Sequence, residues 1–437
     1  MTNHNQKSIE FQALNRKIIQ GEFSGGDITS DAGVLLLRES DRKIGLTKAI
    51  NKVINDPKNP KFIQHSQLSL LRQRVYSIAL GYEDLNDHTQ LRNDIAFQTA
   101  IDEEDILASQ STLCRFENRI DKKEIVMMHE VLVEIFINSF TTSPKELILD
   151  FDATDDPTHG NQEGKFFHGY YDHYCFLPLY VFCKDQLLVS YLRPSNIDGA
   201  KHTWAILSLL VKRFKRQWPD VKIIFRGDGG FCRHKMLDWC DSHDVKYIVG
   251  LAKNNVLKGM VENEMELMEI ESKKTKEPQR CFKDLEYGAK SWKHKRRVVS
   301  KIEHLPKGAN PRFIVTNLDG DAKTLYEDVY CARGDIENRI KEQQLGLFAD
   351  RTSASAWWAN QFRLMLSSIG YVLLENMRRT ALKGTKFAKS QMTTIRLKLL
   401  KIGAVIVKNT RRIKFMFSSS YPWQEEFMLI ANRLNAT

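Results

Sequence analysis

Acidic residues stand at the ends of two short apolar segments of the chain. Asp150 and Asp152 lie in ELILDFDAT, and Asp228 follows VKIIFRG. If these segments are strands, side chains alternate between two faces, and Asp150 and Asp152 share one face of the first strand. Because ligands of α/β sheets gather beyond the carboxyl ends of parallel strands, two of these acids could share a metal ion. The sequences DATDD and GDGG, which contain Asp152 and Asp228, are also typical of turns, so a purely structural role remains open at this point.

A third acidic residue, Glu337, lies in the segment YCARGDIENRIKEQQ. Residues three or four positions apart lie on one face of a helix. That spacing here gives a polar face formed by Tyr330, Arg333, Glu337, Lys341 and Gln344. A solvent-exposed helix with a Glu337–Lys341 ion pair is the alternative to a functional face.

The segments around the two aspartate positions alternate between strand and helix patterns. Three strand-like segments come first, followed by a helix over 201–218 and the strand that ends in FRGDGGF. A helix over 233–242 and the strand KYIVGL complete the set. This order predicts a mixed α/β sheet and matches the ribonuclease-H-like layout, although other α/β folds fit the same pattern.

Two helices are predicted in the N-terminal part of the chain. One covers Gln67–Leu80, with Ser66 as a candidate N-cap. The other begins near SQSTLCRFENRI, with Leu113 and Phe116 facing inward. Its polar start is typical of a DNA-reading helix, and a capped surface helix would show the same pattern. The candidate DNA contacts are Ser111, Thr112 and Arg115.

Positive charge is concentrated near the end of the chain. The formal net charge is +11, and residues 376–424 contain Lys and Arg but no Asp or Glu. A basic segment of this kind fits a polyanionic partner, most simply nucleic acid. A solvated helical face is the alternative, and charge alone does not decide between them.

A second basic segment surrounds Trp292. Residues 290–301 contain six Lys and Arg. A tryptophan beside phosphate-binding residues could stack on a displaced base, or it could be a packed strand residue. The candidate DNA contacts in this segment are Trp292, Arg296 and Arg297.

Composition argues against several classes of protein. No run of about 18 apolar residues is present, so we expect no membrane span. The first residues lack the apolar centre of a signal peptide. The seven cysteines are scattered without a CxxC motif, which indicates neither a disulfide framework nor a zinc module. An intracellular protein is therefore expected.

The motifs resemble those of the DDE transposases of bacterial insertion sequences, in particular the insertion-sequence 1380 family. The resemblance covers nearly the whole chain and rests on blocks in the same order: LASQSTLCRFEN, DFDATDDPTHGNQEG, FRGDGGF, YCARGDIENRIKEQ, RTSASAWWANQFRL and LLKIGA. It implies a catalytic triad of Asp152, Asp228 and Glu337. A related signature has a lysine where Gln344 stands, and Lys341 is the alternative source of that charge. Asp150 remains an alternative to Asp152.

The pattern of elements along the chain predicts an organisation into five regions, and the resemblance implies the type of the catalytic domain. The fold expected is α/β, with a ribonuclease-H-like catalytic domain that carries an insertion. The expected regions are a helical DNA-binding region over 1–140, the first part of the catalytic core over 141–252, an inserted mainly-β subdomain over 253–322, a helical second part of the core with Glu337 over 323–382, and a basic helical C-terminal region over 383–437.

The implied activity is phosphoryl transfer on DNA. The enzyme would bind the inverted ends of its element, cut there and join the 3′-OH ends to target DNA. Three carboxylates about 5 Å apart repel by roughly 3 kcal/mol per pair at an effective dielectric of about 20, so divalent cations are required. Mg²⁺ is expected, with Mn²⁺ as a substitute.

The expected partners are the inverted repeats and the target, both double-stranded DNA, and a second copy of the chain in the DNA complex. The expected location is the bacterial cytoplasm, at the nucleoid. The alternatives are a ribonuclease-H-like nuclease that only hydrolyses, and a DNA-binding repressor or decayed transposase.

Overall fold

The computed structural model describes residues 8–436 of the chain. The strands are β1 Ile9–Leu14, β2 Lys17–Gly21, β3 Ile28–Thr29, β4 Glu146–Ala153, β5 Asp156–Pro157, β6 Phe166–His168, β7 His173–Phe176, β8 Leu179–Cys183, β9 Gln186–Tyr191, β10 Lys222–Gly227, β11 Lys246–Leu251, β12 Gln279–Tyr287, β13 Arg296–Leu305, β14 Gly308–Ala309, β15 Arg312–Thr316, β16 Ala404–Asn409 and β17 Arg412–Phe417.

The α-helices are α1 Val34–Ile44, α2 Leu46–Val53, α3 Gln67–Leu80, α4 His88–Leu91, α5 Ile95–Ile101, α6 Gln110–Glu117, α7 Lys122–Asn138, α8 Thr203–Gln217, α9 His234–Ser242, α10 Asn255–Gly259, α11 Glu262–Thr275, α12 Ala322–Thr324, α13 Gly334–Lys341, α14 Trp357–Thr380, α15 Met392–Ile395 and α16 Gln424–Asn435. No helix among the described residues is both long and apolar enough to cross a membrane.

The chain forms two compact units. One combines residues up to Arg119 with those from Ile369 onward, and the other runs from Ile120 to Ser368. The expected boundaries at residues 140 and 382 differ from this division. Helix α7 belongs to the second unit because Val133, Phe136 and Ile137 pack into that unit's core. The first seven residues of the expected N-terminal region and Thr437 lie outside the described residues.

The second unit is built on a mixed sheet, as the sequence predicts. Its strand order is β12-β13-β15-β11-β10-β4-β8-β9. Strand β10 runs parallel to both β4 and β11, whereas β8 pairs antiparallel with β4, and β9 pairs antiparallel with β8. The carboxyl ends of β4 and β10 therefore lie next to each other, where the candidate aspartates follow.

The predicted insertion over 253–322 does not have a sheet of its own. Strand β15 pairs antiparallel with β11, and β13 and β12 follow it in the same sheet. Phe313 and Val315 of β15 and Val298 of β13 are buried in the same core as β4 and β10. The segment therefore extends the central sheet because its apolar faces continue the sheet's core.

Strand β4 separates two apolar layers. Leu147, Leu149 and Phe151 are buried in the larger core, which confirms the predicted alternation along this strand. A second, smaller hydrophobic core includes Ile224 and Tyr326. Asp150 and Asp152, which alternate with the buried apolar residues, therefore share the opposite face of β4.

The first unit is mainly helical but contains two small sheets. Helix α3 covers the predicted residues, and the Ser66 hydroxyl accepts a hydrogen bond from the backbone N–H of Ser69, as an N-cap should. Strands β17, β16 and β3 form a three-stranded sheet. The expectation of a helical C-terminal region is thus wrong for residues 404–417, where AVIVKN and RIKFMF carry the alternation and β-branched residues of a hairpin.

Candidate active site

Asp150 forms a buried ion pair with Arg226. It lies opposite Arg226 in the β4–β10 register. The Arg226 guanidinium donates two hydrogen bonds to its carboxylate, from Nε to Oδ1 at 2.5 Å and from Nη2 to Oδ2 at 2.7 Å. Arg226 also donates to the Val329 carbonyl. Both partners of this pair are buried, so the geometry gives Asp150 a structural role and leaves Asp152 as the available acid.

Among residues 8–436, Asp152 has no comparable buried cation bound to its carboxylate. Its carboxylate accepts from the backbone N–H of Ala153, and the nearest cation is Arg333, whose Nη1 lies 3.9 Å from Oδ2. Burial raises the pKa of Asp152 to about 7; Arg333 opposes this rise, and the charges of Asp228 and Glu337 add to it. Asp228 and Glu337 are therefore close enough to Asp152 for their charges to act on it.

Asp228 begins the turn after β10. Its carboxylate accepts a hydrogen bond from the backbone N–H of Gly230 at 2.8 Å, which fixes the turn Gly229–Phe231. Gly250 of β11 allows this turn to approach, because a Cβ there would lie 2.6 Å from the Gly229 nitrogen and 2.7 Å from the Tyr330 hydroxyl. Sequence reasoning did not single out Gly250; its place in the strand KYIVGL was the available signal.

Glu337 lies on α13, in a helical segment that is less regular than predicted. The residues before α13 form a π-helix over Leu325–Tyr330 and a 3-10 turn over Cys331–Arg333. Arg333 still reaches Glu337, with Nη2 3.2 Å from Oε1, and lies over the Tyr330 ring. Arg333 is therefore the cation that stands between Asp152 and Glu337.

Among residues 8–436, Glu337 and Lys341 do not form the ion pair that was the alternative prediction. Glu337 pairs with Arg333 instead. Lys341 is exposed at the end of α13. Gln344, which stands where a related signature has lysine, donates to the Asp155 carbonyl at 3.0 Å.

His173, Asp155 and Tyr171 form a polar cluster near Asp152. His173 Nε2 lies 2.9 Å from the Asp155 carboxylate. The pKa of Tyr171 is raised to about 12 by burial and by the charges of Asp155 and Asp152, so the segment around Tyr171 lies close to β4. The sequence signal for this cluster is the run HGYYDHY, which is rich in aromatic residues and histidine.

The predicted contacts around Trp292 have intramolecular partners. Arg296 is buried, with Nη2 2.6 Å from Asp238 Oδ1 and with Asp241 and the Tyr247 hydroxyl as further acceptors. Trp292 packs edge-on against the Tyr287 ring. These contacts argue against a direct DNA contact by Arg296 and against base stacking by Trp292.

Arg297 is partly exposed, and its guanidinium donates to Asp284 and to two backbone carbonyls. Its donors are thus largely committed within the fold.

The predicted DNA-reading helix is α6 of the first unit. Leu113 and Phe116 are buried, as the pattern predicts. Ser111 and Arg115 are exposed, and Arg115 donates to the Thr112 hydroxyl at 3.1 Å. These side chains are accessible, and their role in DNA recognition stays a prediction.

The chain matches a known protein family over nearly its whole length. The family described as transposase DDE domain group 1 matches residues 11–437. The chain belongs to this family of DDE transposases. The comparison with curated proteins gives no match. Among solved structures, the chain is similar to the piggyBac transposase synaptic complex with hairpin DNA, with 12% sequence identity, a TM-score of 0.42, and coverage of 85% of this chain and 80% of that chain.

DDE transposase domains generally use divalent metal ions, and the donors of this site suit that use. Mg²⁺ prefers hard oxygen ligands such as carboxylates. Within the described part of the chain, Arg333 is the cation paired with Asp152 and Glu337, and Asp228 adds a third negative charge nearby, so negative charge remains uncompensated. Within residues 8–436, however, no three His, Cys, Asp or Glu side chains are arranged to hold one ion together.

Proposed function

We propose that the chain is a transposase of the insertion-sequence 1380 type that uses Asp152, Asp228 and Glu337 to cut and join DNA. It would bind the inverted ends of its element, cleave phosphodiesters there and join the 3′-OH ends to target DNA. The observation that carries the proposal is that Arg333 contacts both Asp152 and Glu337, with Asp228 close enough to act on Asp152, in a chain of the DDE family.

The sheet supports the catalytic assignment. The order β9-β8-β4-β10-β11, with β4, β10 and β11 parallel, is the order expected of a ribonuclease-H-like domain. In this interpretation β12, β13 and β15 are the inserted strands. Asp152 and Asp228 follow adjacent parallel strands, where ligands of α/β sheets gather.

The three carboxylates would hold Mg²⁺, or Mn²⁺ as a substitute. When bound there, divalent ions would supply activation of the attacking oxygen and stabilisation of the leaving oxygen. Arg333 and Lys341 would position the DNA backbone beside the scissile phosphate, and Tyr330 would add a hydroxyl contact. Arg333 suits this role because its planar guanidinium can donate two parallel hydrogen bonds to one phosphate.

The partners would be double-stranded DNA at the inverted repeats and at the target. Helix α6, with Ser111, Thr112 and Arg115, would contribute to recognition of the repeats. A homodimer in the DNA complex follows from the need to hold two ends together. The bacterial cytoplasm, at the nucleoid, is the location in which such an enzyme meets its substrate.

The test is a metal-dependent cleavage and strand-transfer assay on DNA that carries the short inverted repeats flanking the coding region. Asp152→Asn, Asp228→Asn and Glu337→Gln should each abolish cleavage and joining while end binding remains. Asp244→Asn is the matched control, because Asp244 is an exposed aspartate outside the site and should retain activity. Calorimetric titration with Mn²⁺ should show binding in the wild type and weaker binding in each triad variant.

The assay also separates the alternatives. Cleavage without joining would indicate a hydrolytic nuclease. Specific binding without cleavage under any divalent metal would indicate a repressor or a decayed transposase, and the proposal would be wrong.

A further inference from the structure

A cleft of about 480 Å³ opens beside the candidate site in the second unit. The turn after Asp228 and the helical segment that carries Tyr330 and Arg333 both contribute to its lining. Among the described residues that line it, four are basic and none is acidic. The four are Lys253, Lys301, Arg312 and Arg333.

Another cleft, of about 420 Å³, has the opposite character. The same helical segment lines it through other residues, including Asp328 and Asp335. Its described lining contains six acidic residues against three basic ones. The two faces of one helical segment therefore border a basic cleft and an acidic one.

Two cations of the basic cleft are uncommitted. Lys301 pairs with Glu303 at 2.7 Å, and Arg333 pairs with Glu337. Lys253 and Arg312 are exposed, and neither makes an ion pair or a side-chain hydrogen bond with any residue from 8 to 436. Such cations are available for an external anion, and a cleft lined by one sign of charge concentrates its field.

We propose that the phosphodiester backbone of DNA reaches the candidate acids through this basic cleft, with Lys253 and Arg312 as phosphate contacts. The acidic cleft repels DNA, so the helical segment of Tyr330 and Arg333 separates a DNA-binding side from a DNA-excluding side. The proposal rests on the proposed function, because it assigns the path of that enzyme's substrate. Lys253 supplies a point charge, and Arg312 can contact two phosphate oxygens at once.

The test compares two double variants of the full-length protein. Lys253→Ala with Arg312→Ala removes two charges from the basic cleft. Lys184→Ala with Lys222→Ala removes two charges from the acidic cleft and serves as the matched control. Binding to duplex DNA is measured by fluorescence anisotropy across a salt series, and cleavage of end DNA is measured in a single turnover. Thermal melting verifies that the variants fold, and the Gln versions of the same positions replace any that do not.

Each lost phosphate contact lowers the slope of log K against log salt by about 0.9 on duplex DNA. The basic-cleft variant should therefore lose up to about 1.8 of slope, and its cleavage should slow. The control should keep the wild-type slope and rate. Unchanged slope and cleavage in the basic-cleft variant, or an equal loss in the control, would overturn the proposal.

Two DNA probes identify which DNA duplex, element end or target, binds in the cleft. One is a duplex with the inverted repeat at its end, and the other is an unrelated target duplex. A loss confined to the first assigns the cleft to the element's own end, and a loss confined to the second assigns it to target DNA. A loss with both shows a shared path.

The wild-type assay distinguishes failure of this inference from failure of the proposed function. If the wild type cuts and joins while the slopes stay unchanged, the path is wrong and the enzyme assignment stands. If the wild type neither binds nor cuts end DNA, both fail.

Discussion

Asp150 and Asp152 are two positions apart on one strand face, yet their surroundings differ. Asp150 is held by the buried guanidinium of Arg226, whereas Asp152 lies 3.9 Å from Arg333, which also pairs with Glu337. Sequence spacing could not separate the two aspartates, because the ion-pair partner of Asp150 lies on another strand. The register of β10 against β4 places Arg226 opposite Asp150 and so favours Asp152 as the metal-binding acid.

Substitutions at these two aspartates should affect different properties: stability at Asp150 and cleavage at Asp152. Asp150→Asn leaves the Arg226 guanidinium buried without a charged partner, which should cost about 3–5 kcal/mol of unfolding free energy. Asp152→Asn should abolish cleavage without such a loss, because no buried cation depends on Asp152 alone. Urea denaturation and a gel cleavage assay measure the two properties. A stable Asp150→Asn protein that cannot cut, beside an active Asp152→Asn protein, would reverse the assignment.

At the level of elements, the sequence predicted what depends on local pattern. Helix α3 has its predicted bounds and N-cap, and α8 and α9 end within about two residues of the predicted positions. The pairing of β15 with β11 was not predicted, because strand partners distant in sequence leave no local signal. The π-helical turn before Arg333 was not predicted either, since its residues fit a regular helical pattern equally well.

Gly250 shows how a neighbouring strand positions the site. An added Cβ at this residue would meet the backbone of Gly229 and the Tyr330 hydroxyl. Gly250→Ala should therefore displace the Asp228 turn, slow cleavage strongly and lower the unfolding free energy by about 1–3 kcal/mol. Gly259→Ala is the control, because a Cβ there meets no atom within 4 Å. Cleavage at the wild-type rate in Gly250→Ala would show that this close approach is not needed.

At the scale of the whole chain, the stability of the first unit should depend on pH through His88. Burial lowers the pKa of His88 to about 3, and the nearby Arg74 charge adds to this. Arg74 Nη1 lies 3.2 Å from Nε2 and can only donate, so it favours the neutral ring. The unfolded chain takes up a proton as pH falls through about 6.5, and the folded chain does not. Stability is therefore lost on acidification.

The size of this effect can be isolated with His88→Gln. Between pH 7.5 and 5, the wild type should lose about 2 kcal/mol more unfolding free energy than the variant, from 1.5 pH units at about 1.36 kcal/mol each. Denaturation curves at the two pH values measure the difference. Parallel losses in both proteins would show that His88 does not titrate on unfolding.

For the basic segment over residues 376–424, the sequence leaves two roles open, nucleic-acid binding and a solvated basic face. Of its twelve Lys and Arg, seven have intramolecular partners within the described residues, such as Asp31 for Lys401 and the Ala79 carbonyl for Arg396. Much of the charge thus stabilises the fold of the first unit. The remainder includes Arg411 and Arg412 at the β16–β17 turn, where both backbone N–H groups donate to the Asn409 side chain.

We expect the tip of this hairpin, rather than the whole segment, to bind DNA. Arg411→Ala with Arg412→Ala should lower the slope of log K against log salt by up to about 1.8. Lys383→Ala with Lys389→Ala removes the same charge from exposed residues of the same segment and is the control. Because both doubles change the net charge equally, a difference between them reports local contacts and not long-range attraction. Equal slopes for the two doubles would mean that the segment acts only through its overall charge, as a solvated basic face does.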